Sequence, residues 1–477
     1  MNSTALFLAG GIAALATAAA AQTPLFTEPG DVAGDRAGNS VAMVGDVDAD
    51  GAEDFAVGAW GNDVAGNLAG MARVHSGRTR LPIHTWFGST AGVRFGMTVA
   101  SVGDLNGDGH AEVAVAAPFG NYVNVYSGMT GATLHQLTGP AGRFGATIVG
   151  GGHLDGDGVP DILVGAPNTS PGNALYAFSG ASGAPIRTHP STCFGYLGHS
   201  AAFLGDIDGD GIDEYAIGRP LGITGCGNPE VLAYDGLTGT LLWSDFTNTI
   251  SDQLGWSLST IGDLTGDGVA DLLAGAPQDP GVGCGPCNGK GYVRLLNGAT
   301  GAQVWQVNGS SFYAGLGYAL VSIGDANGDG FEEFAVSQPS TEGCDGNTQA
   351  VQIREGLSGA LMLALSVPAV GDNFGLSLAS GDANDDGLRD LLVGTPCDDL
   401  AGADSGATRV YTIVREVRPY CSGKLNSQNC TPSIYTTGVP SFAGGTLTCP
   451  PQTGPDLIIG SGPQPKGHQH GQEATPQ

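Results

Sequence analysis

A nine-residue acidic pattern, D-x-[DN]-x-D-G-x-x-[DE], recurs seven times between residues 46 and 390, and it limits what this chain can fold into more than any other feature. The copies are DVDADGAED (Asp46–Asp54), DLNGDGHAE (Asp104–Glu112), HLDGDGVPD (His153–Asp161), DIDGDGIDE (Asp206–Glu214), DLTGDGVAD (Asp263–Asp271), DANGDGFEE (Asp325–Glu333) and DANDDGLRD (Asp382–Asp390). Their first positions lie 58, 49, 53, 57, 62 and 57 residues apart, so each copy marks one structural unit.

The flanks repeat as well. A glycine stands eight residues ahead of six copies (Gly38, Gly96, Gly145, Gly198, Gly255, Gly317) and seven ahead of the last (Gly375). Downstream runs a short apolar stretch closing in a turn: FAVGAW, VAVAAP, ILVGAP, YAIGRP, LLAGAP, FAVSQP and LLVGTP. Short β-branched and apolar runs punctuated by Gly, Asn, Asp and Pro read as strands, and no stretch after residue 21 sustains a helical period. Four strands per unit, A to D, with the acidic loop joining A to B, suit an all-β fold: a seven-bladed β-propeller, in which radial repetition protects the sheet edges. With 82 glycines in 477 residues but no G-X-Y period, collagen is excluded. Unit seven ends at its third strand, TRVYTI (Thr408–Ile413), so residues near 23–28 are expected to supply the outer strand of blade seven and clasp the ring.

These units resemble the FG-GAP repeats of the integrin α-subunit β-propeller and of bacterial secreted proteins. FG stands at Phe95–Gly96, Phe144–Gly145 and Phe374–Gly375; GAP stands at Gly165–Pro167 and Gly275–Pro277. The resemblance covers about residues 22–416 and implies an N-terminal-type integrin α propeller with β-hairpin calcium loops.

Alternating carboxylates on a tight loop aim hard oxygen ligands at one centre, with position six a glycine that permits the sharp turn. Positions 1, 3, 5 and 9 then supply side chains and position 7 a backbone carbonyl. The expected calcium ligands are Asp46, Asp48, Asp50, Ala52 and Asp54; Asp104, Asn106, Asp108, His110 and Glu112; and Asp155, Asp157, Val159 and Asp161. They continue as Asp206, Asp208, Asp210, Ile212 and Glu214; Asp263, Thr265, Asp267, Val269 and Asp271; Asp325, Asn327, Asp329, Phe331 and Glu333; and Asp382, Asn384, Asp386, Leu388 and Asp390. His153 opens the third loop and is a poor ligand for a hard cation, so up to seven Ca²⁺ are expected with site three the weakest. An EF-hand is excluded, because its position-12 Glu is replaced by Val57, Val115, Val164, Ile217, Ala274, Val336 and Val393. The competing reading is of solvated Asp-Gly hairpin tips. Crowding 27 of the 46 acidic residues into these loops without a cation carries mutual repulsion, which favours the metal.

Net charge is −29, which repels nucleic acid and anionic membrane surfaces. No HExxH, G-x-S-x-G, Walker or Rossmann pattern occurs, so no catalytic residue and no organic cofactor is assigned. Residues 1–21 read as a secretory signal with an A-x-A site before Gln22, which points to a secreted or cell-envelope protein. Residues 417–449 form a small Cys-containing segment, and 450–477 a polar tail expected to be disordered. Nine cysteines suit an oxidising compartment, with Cys193–Cys226 and Cys421–Cys430 the preferred pairs. CGPC (Cys284–Cys287) lacks the strand–helix setting of a redox motif. The functional expectation is a non-catalytic adhesion or ligand-binding module for an extracellular protein or carbohydrate. The ligand is expected on the face opposite the calcium loops, over blades four to seven, where the long B–C loops lie. The alternatives are a calcium-dependent polysaccharide lyase or hydrolase, or a structural envelope protein.

Overall fold

A computed structural model describes residues 23–413 apart from 168–173, 192–194, 223–226, 250–251, 279–288, 311–314, 340–349 and 367–370. The chain divides into two compact units, Met1–Arg418 and Pro419–Gln477, and all described residues belong to the first. The proposed signal, the Cys-containing segment and the tail lie outside the described residues.

The described residues are all-β: 28 strands form seven four-stranded antiparallel sheets. The A strands are Ser40–Gly45, Thr98–Ser101, Thr147–Gly152, Ser200–Gly205, Ser257–Ile261, Leu320–Gly324 and Leu378–Gly381. Each touches the A strand of the next blade, and the last touches the first, so the seven A strands close a ring around an axis. The clasp is present: Phe26–Pro29 pairs antiparallel with Ala407–Thr412, Phe26 opposite Val410 and Pro29 opposite Ala407. It starts three residues later than the expected 23–28, although the Leu25 N–H already donates to the Val410 carbonyl at 2.6 Å.

Burial explains why the B strands read as unbroken apolar runs while the D strands alternate. Strand B of blades one, three and five (Asp54–Ala59, Asp161–Ala166, Asp271–Ala276) is buried at every residue, because both its faces pack on neighbouring blades. Strand D of blade one (Pro82–Phe87) has no buried residue. The core accordingly consists of seven clusters, each made by two successive blades; the one holding Phe26, Val41 and Phe55 with Ala379, Leu392 and Val410 joins blade seven to blade one. The residue before each repeat glycine enters one such cluster: Ala37, Phe95, Phe144, Leu197, Leu254, Leu316 and Phe374, all buried.

The repeat glycine itself has a geometric reason. In all seven units it adopts positive φ, from +80° to +98°, which L side chains rarely tolerate. Its N–H donates to the carbonyl of the next-to-last residue of strand B in its own blade, as from Gly38 to Gly58 at 3.1 Å and from Gly145 to Gly165 at 3.0 Å. A Cβ on Gly58 would lie 1.9 Å from the Gly96 carbonyl oxygen of the next blade, so the two glycines let backbones of adjacent blades touch. Strand D side chains add an outer latch: Trp86, Trp243 and Trp305 donate Nε1–H to the Gly131, Gly298 and Gly356 carbonyls of the following blade.

Candidate functional site

The acidic loops all sit where strand A turns into strand B, hence at one end of every blade. Two left-handed positions shape each loop. Position six is Gly51, Gly109, Gly158, Gly211, Gly268, Gly330 and Gly387, all at positive φ as expected. Position four is left-handed too, at Ala49 (φ 60°), Gly107, Gly156, Gly209, Gly266, Gly328 and Asp385 (φ 59°). That second requirement was not read from the sequence, although glycine occupies position four in five copies.

The two left-handed residues turn backbone N–H groups toward the position-one carboxylate. Asp46 accepts from Asp50 N (3.0 Å) and Gly51 N (2.8 Å), and Asp206 accepts from Gly209, Asp210 and Gly211 N at 2.7 to 3.0 Å. Such bonds favour the ionised form, and in Asp263, with Gly268 N foremost, they hold the carboxyl below its ordinary range. Three loops gather ligand oxygens within 4.8 Å of one another: Asp46, Asp48 and Asp50; Asp104, Asp108 and Glu112; and Asp206, Asp208 and Asp210. The third loop lacks the position-one carboxylate. His153 instead takes Asp213, from the fourth loop, through its backbone N–H at 2.8 Å and its ring Nδ1 at 3.5 Å.

Position nine carries a duty the pattern alone did not reveal. Asp54, Glu112, Asp161, Glu214, Asp271, Glu333 and Asp390 are fully buried. One oxygen of Asp54 accepts from Val47 N (2.8 Å) and the other from Gly77 N (3.0 Å) in the C–D turn. Asp161 and Asp271 repeat this with Gly180 and Gly298, so the carboxylate ties the acidic loop to the neighbouring turn of its own blade. Burial above all, with the nearby loop carboxylates adding, pushes Asp54 up to about 6 and Glu112, Glu333 and Asp390 up to about 7. In the seventh loop Asn384 Oδ1 and Asp390 Oδ2, at positions three and nine, are buried with no hydrogen-bond partner. Buried oxygen donors left unpaired at two ligand positions fit a divalent cation.

Adjacent loops are knitted together. The Glu53 N–H donates to the Asp382 carbonyl at 2.9 Å while its carboxylate accepts Asp382 N at 3.2 Å, and His110 Nδ1 meets the Asp46 carbonyl at 2.8 Å. Arg78 spans the first and seventh loops, 3.5 Å from Asp50 and 3.0 Å from Asp385.

At the opposite end of the ring, the residue after each repeat glycine faces the axis. Asn39, Met97, Ala146, His199, Trp256, Tyr318 and Leu376, one per blade, line a cavity of about 440 Å³ together with Arg143 and Tyr196. None of these residues, among them Arg143, Tyr196, His199 and Tyr318, was assigned to a site from the sequence. The signal was available as a column one residue after each glycine, but its members vary and so form no motif. Cys193, Cys226, Cys284, Cys287 and Cys344 lie outside the described residues, as do most of the long loop Pro277–Gly291 and both proposed disulfide pairs. Cys397 is buried and disulfide-bonded.

Comparison with known proteins agrees with this architecture. Residues 95–132 and 254–296 match the FG-GAP repeat family, and residues 153–217 match the FG-GAP-like repeat. The chain is 29% identical to integrin alpha-V of Gallus gallus over 266 residues, covering 52% of this chain and 24% of that protein. It is 36% identical to integrin alpha-PS2 of Drosophila melanogaster over 151 residues, 30% of this chain and 10% of the relative. With human integrin alpha-IIb the figures are 30% over 241 residues, 47% and 22%. The chain thus spans less than a quarter of the length of these relatives.

Proposed function

The chain is an integrin α-like FG-GAP repeat protein, and on that premise we propose that it is a secreted, calcium-stabilised propeller serving as a non-catalytic adhesion or ligand-binding module. The cations are held by the seven acidic loops through positions 1, 3, 5 and 9 and the position-seven carbonyl, with the His153 loop weakest. The observation that carries the calcium reading is the seventh loop, where Asn384 Oδ1 and Asp390 Oδ2 are buried and unpaired. Bound Ca²⁺ supplies positive charge that the loops lack, since Arg78 is the one Lys or Arg within 4 Å of a position-1, 3, 5 or 9 carboxylate among the described residues.

Recognition is assigned to the face opposite the acidic loops, because loops on a rigid scaffold are where binding residues concentrate. The axial cavity is lined by no carboxylate among the described residues, so the general acid and base pair of a glycosidase is not assembled there. Incubating the purified protein, with calcium, on glycan and extracellular-protein arrays and then with soluble polysaccharides tests the reading. Saturable binding without release of shortened chains is expected; sustained turnover of any polysaccharide would replace the module with an enzyme.

A further inference from the structure

Resting on the ligand-binding reading, we propose that the axial cavity on the face away from the acidic loops is a saccharide site selective for carboxylate-bearing sugars, with Arg143 and Arg94 pairing the carboxylates and Trp256 at the centre of an aromatic arc stacking the sugar ring.

The arc comes from three successive blades. His199 and Trp256 lie 4.2 Å apart between centroids, Trp256 and Tyr318 5.5 Å, and the His199 Nδ1 meets the Trp256 carbonyl at 2.9 Å, which pins the arc's first two members. Burial pushes His199 down to about 4, so near neutral pH it offers an uncharged ring. Flat apolar faces set around a cavity of this size suit the C–H face of a pyranose, and the volume lies within the range of small-molecule sites.

Arg143 lines the cavity beside the arc, and Arg94, outside that lining, shares the Phe119 ring with it. Arg94 sits over Trp60 at 4.6 Å and over Phe119 at 4.2 Å, and Arg143 over Phe119 at 5.9 Å. Neither guanidinium has a carboxylate within 4 Å or a hydrogen-bond acceptor for its side chain among the described residues. In a chain with 46 acidic and 17 basic residues, Arg94 and Arg143 are held on aromatic faces without an acidic partner among the described residues; Arg80, over Phe26, shares that state but sits in the C–D turn at the acidic end. Arg219, Arg294 and Arg409 are all committed to Glu230, Asp245 and Asp398. A guanidinium over an aromatic ring and without an acidic partner has N–H donors to offer a bidentate carboxylate.

The overall negative charge does not oppose this, because 27 of the acidic residues lie in loops at the far end of the blades, and interactions between exposed charges are largely screened beyond about 10 Å at 0.1 M salt. The larger cleft of about 560 Å³ between blades four and five is a weaker candidate: its Asp252 already accepts from Gln278 (2.6 Å) and Tyr292, and its Arg294 is bound to Asp245 and Gln306. An acidic peptide would satisfy the arginines but would leave the aromatic arc without a flat partner.

Calorimetric titration of the calcium-loaded protein with β-1,4-linked tetraglucuronate, cellotetraose and tetraglutamate tests the assignment, since the two sugars differ in their carboxylates alone. Tetraglucuronate is expected to bind saturably, about ten-fold or more tighter than either control. R143Q and R94Q should each weaken it about ten-fold while leaving cellotetraose unchanged, and W256A should weaken both sugars. Among the described residues the Arg143 side chain makes no hydrogen bond, so R143Q is expected to keep the fold; melting in calcium checks W256A, with Y318A as the second arc variant. Equal affinity for cellotetraose or tetraglutamate, or tetraglucuronate binding unmoved by R143Q and W256A, would overturn the proposal. Array hits without tetraglucuronate binding would overturn the saccharide site and leave the module reading standing; silence in both would remove both.

Discussion

The two ends of the ring are built on opposite logic. At the acidic end all seven blades repeat a carboxylate at positions five and nine and six repeat one at position one, and Asp46, Asp206 and Asp382 make the same bonds to the same backbone N–H groups. At the axial mouth every blade contributes a different side chain at one equivalent position, from Ala146 to Trp256. Repetition therefore produces a charge scaffold with sevenfold character, and departure from repetition produces a cavity with a distinct wall on each side. The first requires only that each unit fold alike; the second requires that the ring close in one register.

The sharpest way to separate the ends is to strip the metal. Ligands that bind the native but not the unfolded chain stabilise it by about 2.7 kcal/mol per site at a hundred times Kd. Chelator should therefore lower Tm more than any single substitution, by differential scanning calorimetry, whereas the axial variant R143Q should leave Tm within a degree or two of wild type. Matching melting curves with and without chelator would mean that the acidic end is a set of plain turns.

Next in size is closure, on which the axial cavity depends and the individual loops do not. Deleting residues 23–30 removes the strand paired to Ala407–Thr412 and Phe26 from the cluster joining blades seven and one. Loss of a paired outer strand exposes an edge, so urea midpoints should fall far more than on deleting 450–477. Two truncations of equal stability would disprove the clasp.

Acid probes the mouth more gently. His199 has its folded pKa depressed to about 4 against about 6.5 when unfolded, so the unfolded chain takes up the proton first as pH drops. The stability it contributes is present above pH 6.5 and is lost as pH falls toward 4. In saturating calcium, H199N should flatten the decline in Tm between pH 6.5 and 4.5; an unchanged acid limb would assign that decline to other groups, of which His75 and His189, also near 4, come first.

The smallest effect belongs to Ala49, held at φ 60° where five of the other loops have glycine. Left-handed backbone costs an L-residue roughly 1 kcal/mol, so A49G should raise stability by about that much at the acidic end without altering ligand binding. A loss of stability would mean that Ala49 makes a contact outweighing the strain.

Blade number, strand order and the place of the acidic loops between strands A and B were legible because each is written several times, so that chance agreement is averaged away; the clasp was legible because unit seven lacks a fourth strand. Phe95 and Phe144 could be recognised as repeat landmarks, yet that they wedge between blades required the ring. The buttress made by Asp54 to Gly77 joins residues 23 positions apart and has no local periodicity to betray it. Likewise Arg143 and Phe119, or His199 and Trp256, meet only because blades two and three, or four and five, are neighbours in space.

Counting bound calcium by native mass spectrometry tests the division between the two ends most directly. Wild-type protein is predicted to fill six sites first and the His153 site only at higher free calcium, and H153D should bring the seventh into line with the rest. No specifically bound calcium in the wild type, or an unchanged filling order in H153D, would contradict the assignment of the acidic loops as the cation-holding end of the ring.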